Sequence, residues 1–335
     1  MPVKPNSQLL AALIVVLSNL ALIRTLGRDG LRLALARVSK GARVFVHPLT
    51  WFKVVKVLTA PQTQPVVRAA PEVVLKYLGG YLGANLSESE RASILINHYT
   101  FLKGCVEQGF FRKIVDGRLQ LWKHEVGNCH VRICVAFPVA HHDEGDLSLI
   151  FQSDHIDIYT LSFTIGPGGV AGLAADQAIY IARVQGKARG LQLIRKATKD
   201  CLDISPASLL LAAAEGVAMA LELGHIVGIG ADVQISASAD SRPEGLVHGY
   251  DEFWLASGGL KLVRNMYHLA VPLPEKPIKT VKRNHRSRAL HKRAFKKLVS
   301  EQVCREFSAI ALHPATDSLS ERSTASLLFP RGGAT

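Results

Sequence analysis

Acid is what this sequence is short of. Its 335 residues carry 40 Lys and Arg against 27 Asp and Glu, a formal charge of +13. From Lys276 to Lys297 ten basic residues stand without a single acid. Such a surplus attracts anions (nucleic acid, acidic headgroups, phosphorylated small molecules) without choosing among them. Cysteine is scarce as well: Cys105, Cys129, Cys134, Cys201 and Cys304, an odd number with no CxxC pair. A disulfide framework or zinc scaffold is therefore not expected, and the thiols read as free and buried in a reducing compartment. The basic stretch lacks the interleaved aromatics of a base-stacking surface, and no zinc-finger, helix-turn-helix or RNP-like pattern is present. No sequence-specific nucleic-acid partner is expected. Neither a GxxxxGK[ST] loop nor a GxGxxG loop occurs, so P-loop and dinucleotide readings fail. There is no HExxH, and no metal site is expected.

A long apolar run is also missing. Gln8 to Ile23 carries no charge, but it falls short of the ~20 residues a membrane-spanning helix needs. A buried or surface-docked helix, a signal-anchor and a cleaved signal all remain open for it. With the basic segment that follows, it makes residues 1–60 a helical, partly apolar N-terminal region. At the other end, residues 311–335 are rich in Ser, Thr, Pro and Gly and read as a disordered tail.

What is present lies between. Ser87, with Glu90 three residues on, is a capping box for a helix through RASILINHYTFLKGCVEQ. His98 falls on its apolar face and reads as a core histidine; as a base it would need a partner that helical spacing does not supply. From Gly117 the period becomes two. GRLQLWKHEV, CHVRICVAF, DLSLIFQSD, IDIYTLSFTI and QAIYIARV are successive strands with short connections, which favours an antiparallel meander. Two helices follow, the second opened by Ser205-Pro206, then a short strand His225–Gly230, a helix containing YDEFWLAS and one closing strand, LKLVRNMYHLAV. A basic helix over 276–297 continues to about Phe307. The fold class is α+β: a largely antiparallel mixed sheet flanked by helices.

Several residues could carry chemistry. His141, His142, Asp143 and Glu144 occupy a strand-to-strand loop without ordered ligand spacing and read as a solvated turn, with Glu144 set apart because Glu-Gly-Asp-Leu leads into a strand. Gln185, Gly186, Lys187, Arg189 and Gly190 join a strand to a helix, where backbone N–H groups and positive charge could meet a phosphate. An ordinary turn with solvated basic residues is the alternative.

RASILINHYTFL (91–102), EGDLSLIF (144–151), IYTLSFTI (158–165), IYIARVQG (179–186), YDEFWLASGG (250–259) and SRALHKRAF (287–295) together resemble the VirK/YbjX (DUF535) family of bacterial proteins, a domain of unknown function. The resemblance covers residues 65–305. It departs at Gly80-Tyr81, where the family usually has Pro-Tyr, and at Ile204-Ser205-Pro206, where a glycine-proline start is usual. It implies a cytoplasmic protein, peripheral to the inner membrane at most. Members are linked to virulence, display of a surface protein and resistance to cationic antimicrobial peptides. A non-enzymatic, envelope-supporting factor meeting anionic lipid or an envelope-associated protein is one expectation. The other is a GNAT-like acyltransferase using acyl-CoA: the order of elements, the basic glycine-containing junction and YDEFWLASGG look like that fold. It would set CoA phosphates over Gly186–Gly190, Tyr250 or Tyr267 near the thioester, and Glu144 or His98 as base. An opening between Ala182–Gln185 and Ile226–Gly230 favours the enzyme; a filled sheet there favours the factor.

Overall fold

A computed structural model describes residues 47–127, 129–138, 142–235 and 244–312, with a few positions between 17 and 28. The apolar run at 8–23 falls largely outside the described residues, as do the loop 236–243 and the tail beyond 312. Among the described residues no helix is long and apolar enough to cross a membrane.

Eight strands form one sheet in the order β1-β2-β3-β4-β5-β6-β8-β7. They are β1 (Leu119–Val126), β2 (Cys129–Ala136), β3 (Leu147–Ser153), β4 (Ile156–Gly166), β5 (Ala178–Gly186), β6 (His225–Ile229), β7 (Leu260–Lys261) and β8 (Met266–Ala270). The first five are the antiparallel meander that their alternation and short links dictate. Between β5 and β6 the chain makes two helices, α5 (Leu191–Asp200) and α6 (Pro206–Ala220), and the crossover leaves β5 and β6 parallel. All other neighbours are antiparallel.

From Pro48 to the sheet the described helices are α1 (Pro48–Leu58), α2 (Gln64–Ala69), α3 (Glu88–Cys105) and α4 (Phe110–Asp116). Between α2 and α3, Pro71–Leu78 is a 3-10 segment. The capping box at Ser87 and Glu90 is formed in both directions, and Ser205 caps α6 through the Ser208 N–H with Pro206 inside the first turn. After β6 come α7 (Glu244–Ala256) and, last, α8 (Arg286–Ala311).

Two parts of the sequence reading change. The closing stretch is a hairpin of β7 and β8 rather than one strand: Arg264 and Asn265 adopt φ of 59° and 52° and turn the chain back. The basic helix starts at Arg286, because Ile278–Thr280 and Arg283–His285 are separate 3-10 turns.

The two faces of the sheet differ in chemistry. One carries Leu147, Leu149 and Phe151 from β3 and Leu161, Phe163 and Ile165 from β4, all buried, and α6 packs against β3, β4 and β5. α8 lies across α6 and β1, with Phe295 edge-on to Trp122. Burial of roughly 25 cal/mol per Å² of apolar surface makes this side the main source of stability. On the opposite face stand Ser148, Gln152, Ser162 and Thr164, also buried. Here α3 covers the end of β4, and Ile94 and Tyr180 both close on Gly166.

Candidate functional site

Two polar clusters grow from the loop that leads into β3. The first centres on Asp146. Its carboxylate receives Lys76 Nζ, the Tyr81 hydroxyl, the Tyr99 hydroxyl at 2.9 Å and the Thr164 hydroxyl at 2.8 Å. All five residues are buried. Burial alone would raise the Asp146 carboxyl, but the Lys76 ammonium and the hydrogen bonds from Lys76 and Tyr81 outweigh it and hold it at about 2. Burial likewise pulls Lys76 down, against the attraction of Asp146, and keeps Tyr81 and Tyr99 protonated donors. His98 borders this cluster. Its Nδ1 accepts the Ile165 N–H at 3.0 Å, and its ring lies edge-on to Tyr99. Burial drives its pKa to about 4, so the imidazole is neutral, with the proton on Nε2, which has no hydrogen-bond partner.

The second cluster starts two residues earlier. Glu144 lies in a 3-10 turn, His142–Glu144, and forms an ion pair with Arg183 of β5. The loop is therefore no solvated turn at this position: Glu144 is 8% exposed. Gly145 makes the turn possible, because a Cβ there would lie 2.7 Å from the Phe163 nitrogen. Only glycine lets the loop press against β4, sending Glu144 and Asp146 into different clusters.

Arg183 sits where the sheet opens. β5 and β6 pair only from Ile179–Ile181 to Ile226–Gly228. Across β4, Phe163 pairs with Ile181 and Ser162 with Arg183, so Ala182 is an extra residue and β5 bulges there. From Ala182 to Gly186 the outer edge of β5 has no strand partner among the described residues. An opening in the strand pairing is thus present, and it is filled by a side chain: the Tyr250 hydroxyl accepts the Val184 N–H at 3.2 Å. Burial raises the Tyr250 pKa, while Glu144 and Arg183 lie close enough to bias it in opposite directions.

Contacts from Trp254 and Asp251 hold α7 in place. The Trp254 indole N–H donates to the Ile229 carbonyl at 3.0 Å. Its ring lies over Gly228, where a Cβ would come within 2.4 Å. Asp251 accepts the Ala231 N–H at 2.8 Å and a hydrogen bond from Tyr267. Tyr267, on β8, thereby positions α7 instead of reaching the gap.

The Gln185–Gly190 junction closes the other end of the opening. Gly186 packs against Ile194 and Tyr159. The Lys187 N–H donates to Ile158 and the Gly190 N–H to the Lys187 carbonyl, each at 2.9 Å. Arg189 has φ of 59°. Gln185, Lys187 and Arg189 are exposed, and Gly190 begins α5 with no side-chain cap. The geometry thus brings Tyr250, Glu144 and the 185–190 junction to one opening and leaves His98 in the Asp146 cluster. Among the described residues no group of three or more His, Cys, Asp or Glu could hold a metal ion.

A family model described as "Protein of unknown function (DUF535)" matches residues 34–304. The chain belongs to this family. It is similar to the "Uncharacterized protein YbjX" of Escherichia coli (strain K12), 26% identical over 245 residues, covering 71% of this chain and 72% of that protein. No solved structure matches it significantly.

Sequence reasoning missed Lys76, Asp146 and Arg183. Asp146 was within reach: it is the acid of Glu-Gly-Asp, immediately before a strand with no polar break on its apolar side. Lys76 and Arg183 carried no such signal, since a single cation in an apolar stretch does not announce which carboxylate it meets.

Proposed function

We propose that this DUF535 protein is an acyltransferase that takes an acyl group from a CoA thioester and passes it to a small acceptor. One observation carries the reading: the bulge at Ala182 frees the outer edge of β5, and Tyr250 places a phenol on the Val184 N–H in that gap. An amide-bearing chain such as the pantetheine arm binds an unpaired edge by main-chain hydrogen bonds. The strand order, with one parallel pair beside the opening, is the arrangement that a GNAT-like sheet would require.

The residues fit the donor. Lys187 and Arg189 are exposed beside the uncapped start of α5, and charge-assisted contacts and helix-terminal N–H groups suit a pyrophosphate. The thioester supplies the activated acyl group. Glu144 takes the proton from the acceptor's amine or hydroxyl as that atom bonds to the acyl carbon. The carbon–sulfur bond breaks, the electron pair leaves on sulfur, and Tyr250 protonates it. Burial keeps Tyr250 protonated and so suited to this role. The Val184 N–H passes from Tyr250 to the donor, so Tyr250 both guards the edge and acts at it.

Calorimetric titration with acetyl-CoA tests the binding. The expected result is saturable heat with wild type, retained in Tyr250→Phe and lost in Lys187→Glu with Arg189→Glu. Absence of heat in wild type, or equal heat in the double variant, removes the reading.

A second reading concerns location, and the basic face of α8 favours it. Arg288 is exposed in its first turn and Lys297 further along, after a run of Lys and Arg beginning at Lys276. In it the protein supports the envelope, or resistance to cationic peptides, as a peripheral factor on acidic lipid. Each Lys or Arg near such a surface is worth about 1 kcal/mol, screened by salt. Flotation with phosphatidylglycerol vesicles at low salt, lost at high salt, is the expected result; protein left at the bottom at low salt contradicts it.

A further inference from the structure

The polar face of the sheet is unusual for its burial. Strands covered on both sides read as apolar, because a buried hydroxyl or amide without a partner costs free energy. Here β3, β4 and β5 present Ser148, Thr160, Ser162 and Arg183 to a groove of about 420 Å³. Ile114, Phe137 and Ile150 form its apolar walls, with Asp116 and Arg118 at the exposed rim. Arg118 is already engaged, bidentate to Asp157 at 2.5 and 2.8 Å. On the floor, the Ser148 and Ser162 hydroxyls bond each other at 2.9 Å. One proton is used in that bond, leaving the other hydroxyl free to donate. Arg183 gives one terminal nitrogen to Glu144, while its Nε is buried without a hydrogen-bond partner among the described residues. A guanidinium is a planar fork, and only part of this one is matched.

We infer that this groove binds a small organic anion, a carboxylate or phosphate monoester with a compact apolar body, held by Arg183 with the Ser148 and Ser162 hydroxyls beneath it. The apolar walls take the body and the unmatched donors take the anion. The inference deepens the acyl-transfer reading, because Arg183 stands between the groove and the Tyr250 opening, so an anion that also carries an amine or hydroxyl is the acceptor. It is measured without any acyl donor. A silent acetyl-CoA titration therefore leaves it intact, and its own failure leaves donor binding intact.

Saturation-transfer NMR on the full chain decides it, with benzoate, 3-phenylpropionate and phenyl phosphate as anionic probes and benzyl alcohol as the neutral control. Saturable binding of at least one anion, with benzyl alcohol at least tenfold weaker, is expected; the carboxylate and phosphate arms identify which anion is preferred. Two variants locate the site. Arg183→Lys keeps a positive charge against Glu144 but removes the fork. Ser148→Ala with Ser162→Val removes both hydroxyls together, which leaves no orphan, and narrows the floor. Each should weaken anion binding at least tenfold, and the serine pair should do so with an unchanged melting curve. No anion binding in wild type, equal binding of benzyl alcohol, or undiminished anion binding in the serine variant overturns the inference.

Discussion

Glu144 and Asp146 are two residues apart and live in different chemistry. Asp146 has donors from Lys76, Tyr81, Tyr99 and Thr164 and is closed to solvent. Glu144 shares Arg183 with a groove and an opening in the sheet, and the Arg183 Nε has no partner among the described residues. A buried charge whose partners are complete is fixed in one state and serves the fold. A half-buried cation with unmatched donors at the edge of a cavity has hydrogen bonds to offer a ligand. On our proposal the first cluster serves stability and the second function, and each assignment can be broken separately.

The largest effect belongs to Asp146→Asn. It leaves the Lys76 ammonium buried without its counter-charge, and removing one partner of such a pair costs about 3–5 kcal/mol. Urea unfolding of the purified variant should show it, whereas Lys76→Met with Asp146→Leu should recover only the charge part of the loss, because the Tyr81, Tyr99 and Thr164 hydroxyls then lack their acceptor. A marginal change in Asp146→Asn would mean that the cluster does not hold the fold.

Acid sharpens the same contrast. The Asp146 carboxyl is depressed to about 2 from an ordinary value near 3.8. A depressed acid stabilises the fold above the unfolded pKa, and that stability is lost as pH falls through the folded one. The window runs from about pH 4 down to about pH 2, with about 2 kcal/mol at stake. Denaturant midpoints followed through this range should fall in wild type more steeply than in the Lys76→Met, Asp146→Leu variant. Parallel curves would contradict the assignment.

His98→Ala comes next, at about 1–3 kcal/mol for the cavity and the Ile165 N–H left without an acceptor. Its acetyl-CoA binding should match wild type. Unchanged stability with lost binding would move His98 into the functional cluster. The smallest effect on stability is that of Lys187→Glu with Arg189→Glu, within about 0.5 kcal/mol by thermal melt, since both side chains are exposed. Its effect should appear in donor binding alone.

The meander was legible because alternation specifies which side of a strand is buried, and the helix starts at Ser87 and Ser205 because their caps are local. The turn at Arg264 and Asn265 was not, since neither residue is glycine and the strand period runs through them. Tyr250 and Glu144 could be named from their neighbours in sequence, and the strand-to-helix junction from its glycines and charge. The bulge at Ala182 could not, because an extra residue in β5 is visible only against the register of β4. For the same reason Arg183 escaped notice: its partner lies on a loop whose position depends on Gly145 meeting the backbone at Phe163.

The central claim is that the free edge of β5 is where a donor binds, and the Val184 amide reports on it directly. With the protein labelled at valine nitrogen and the Val184 resonance assigned by substitution to isoleucine, acetyl-CoA is titrated into wild type and into the Lys187→Glu, Arg189→Glu variant. The account predicts a saturable shift of the Val184 amide in wild type, larger than that of buried Val131 or Val135 on β2, and none in the variant. A Val184 amide that stays in place while acetyl-CoA binds, or that never responds at millimolar donor, would contradict it.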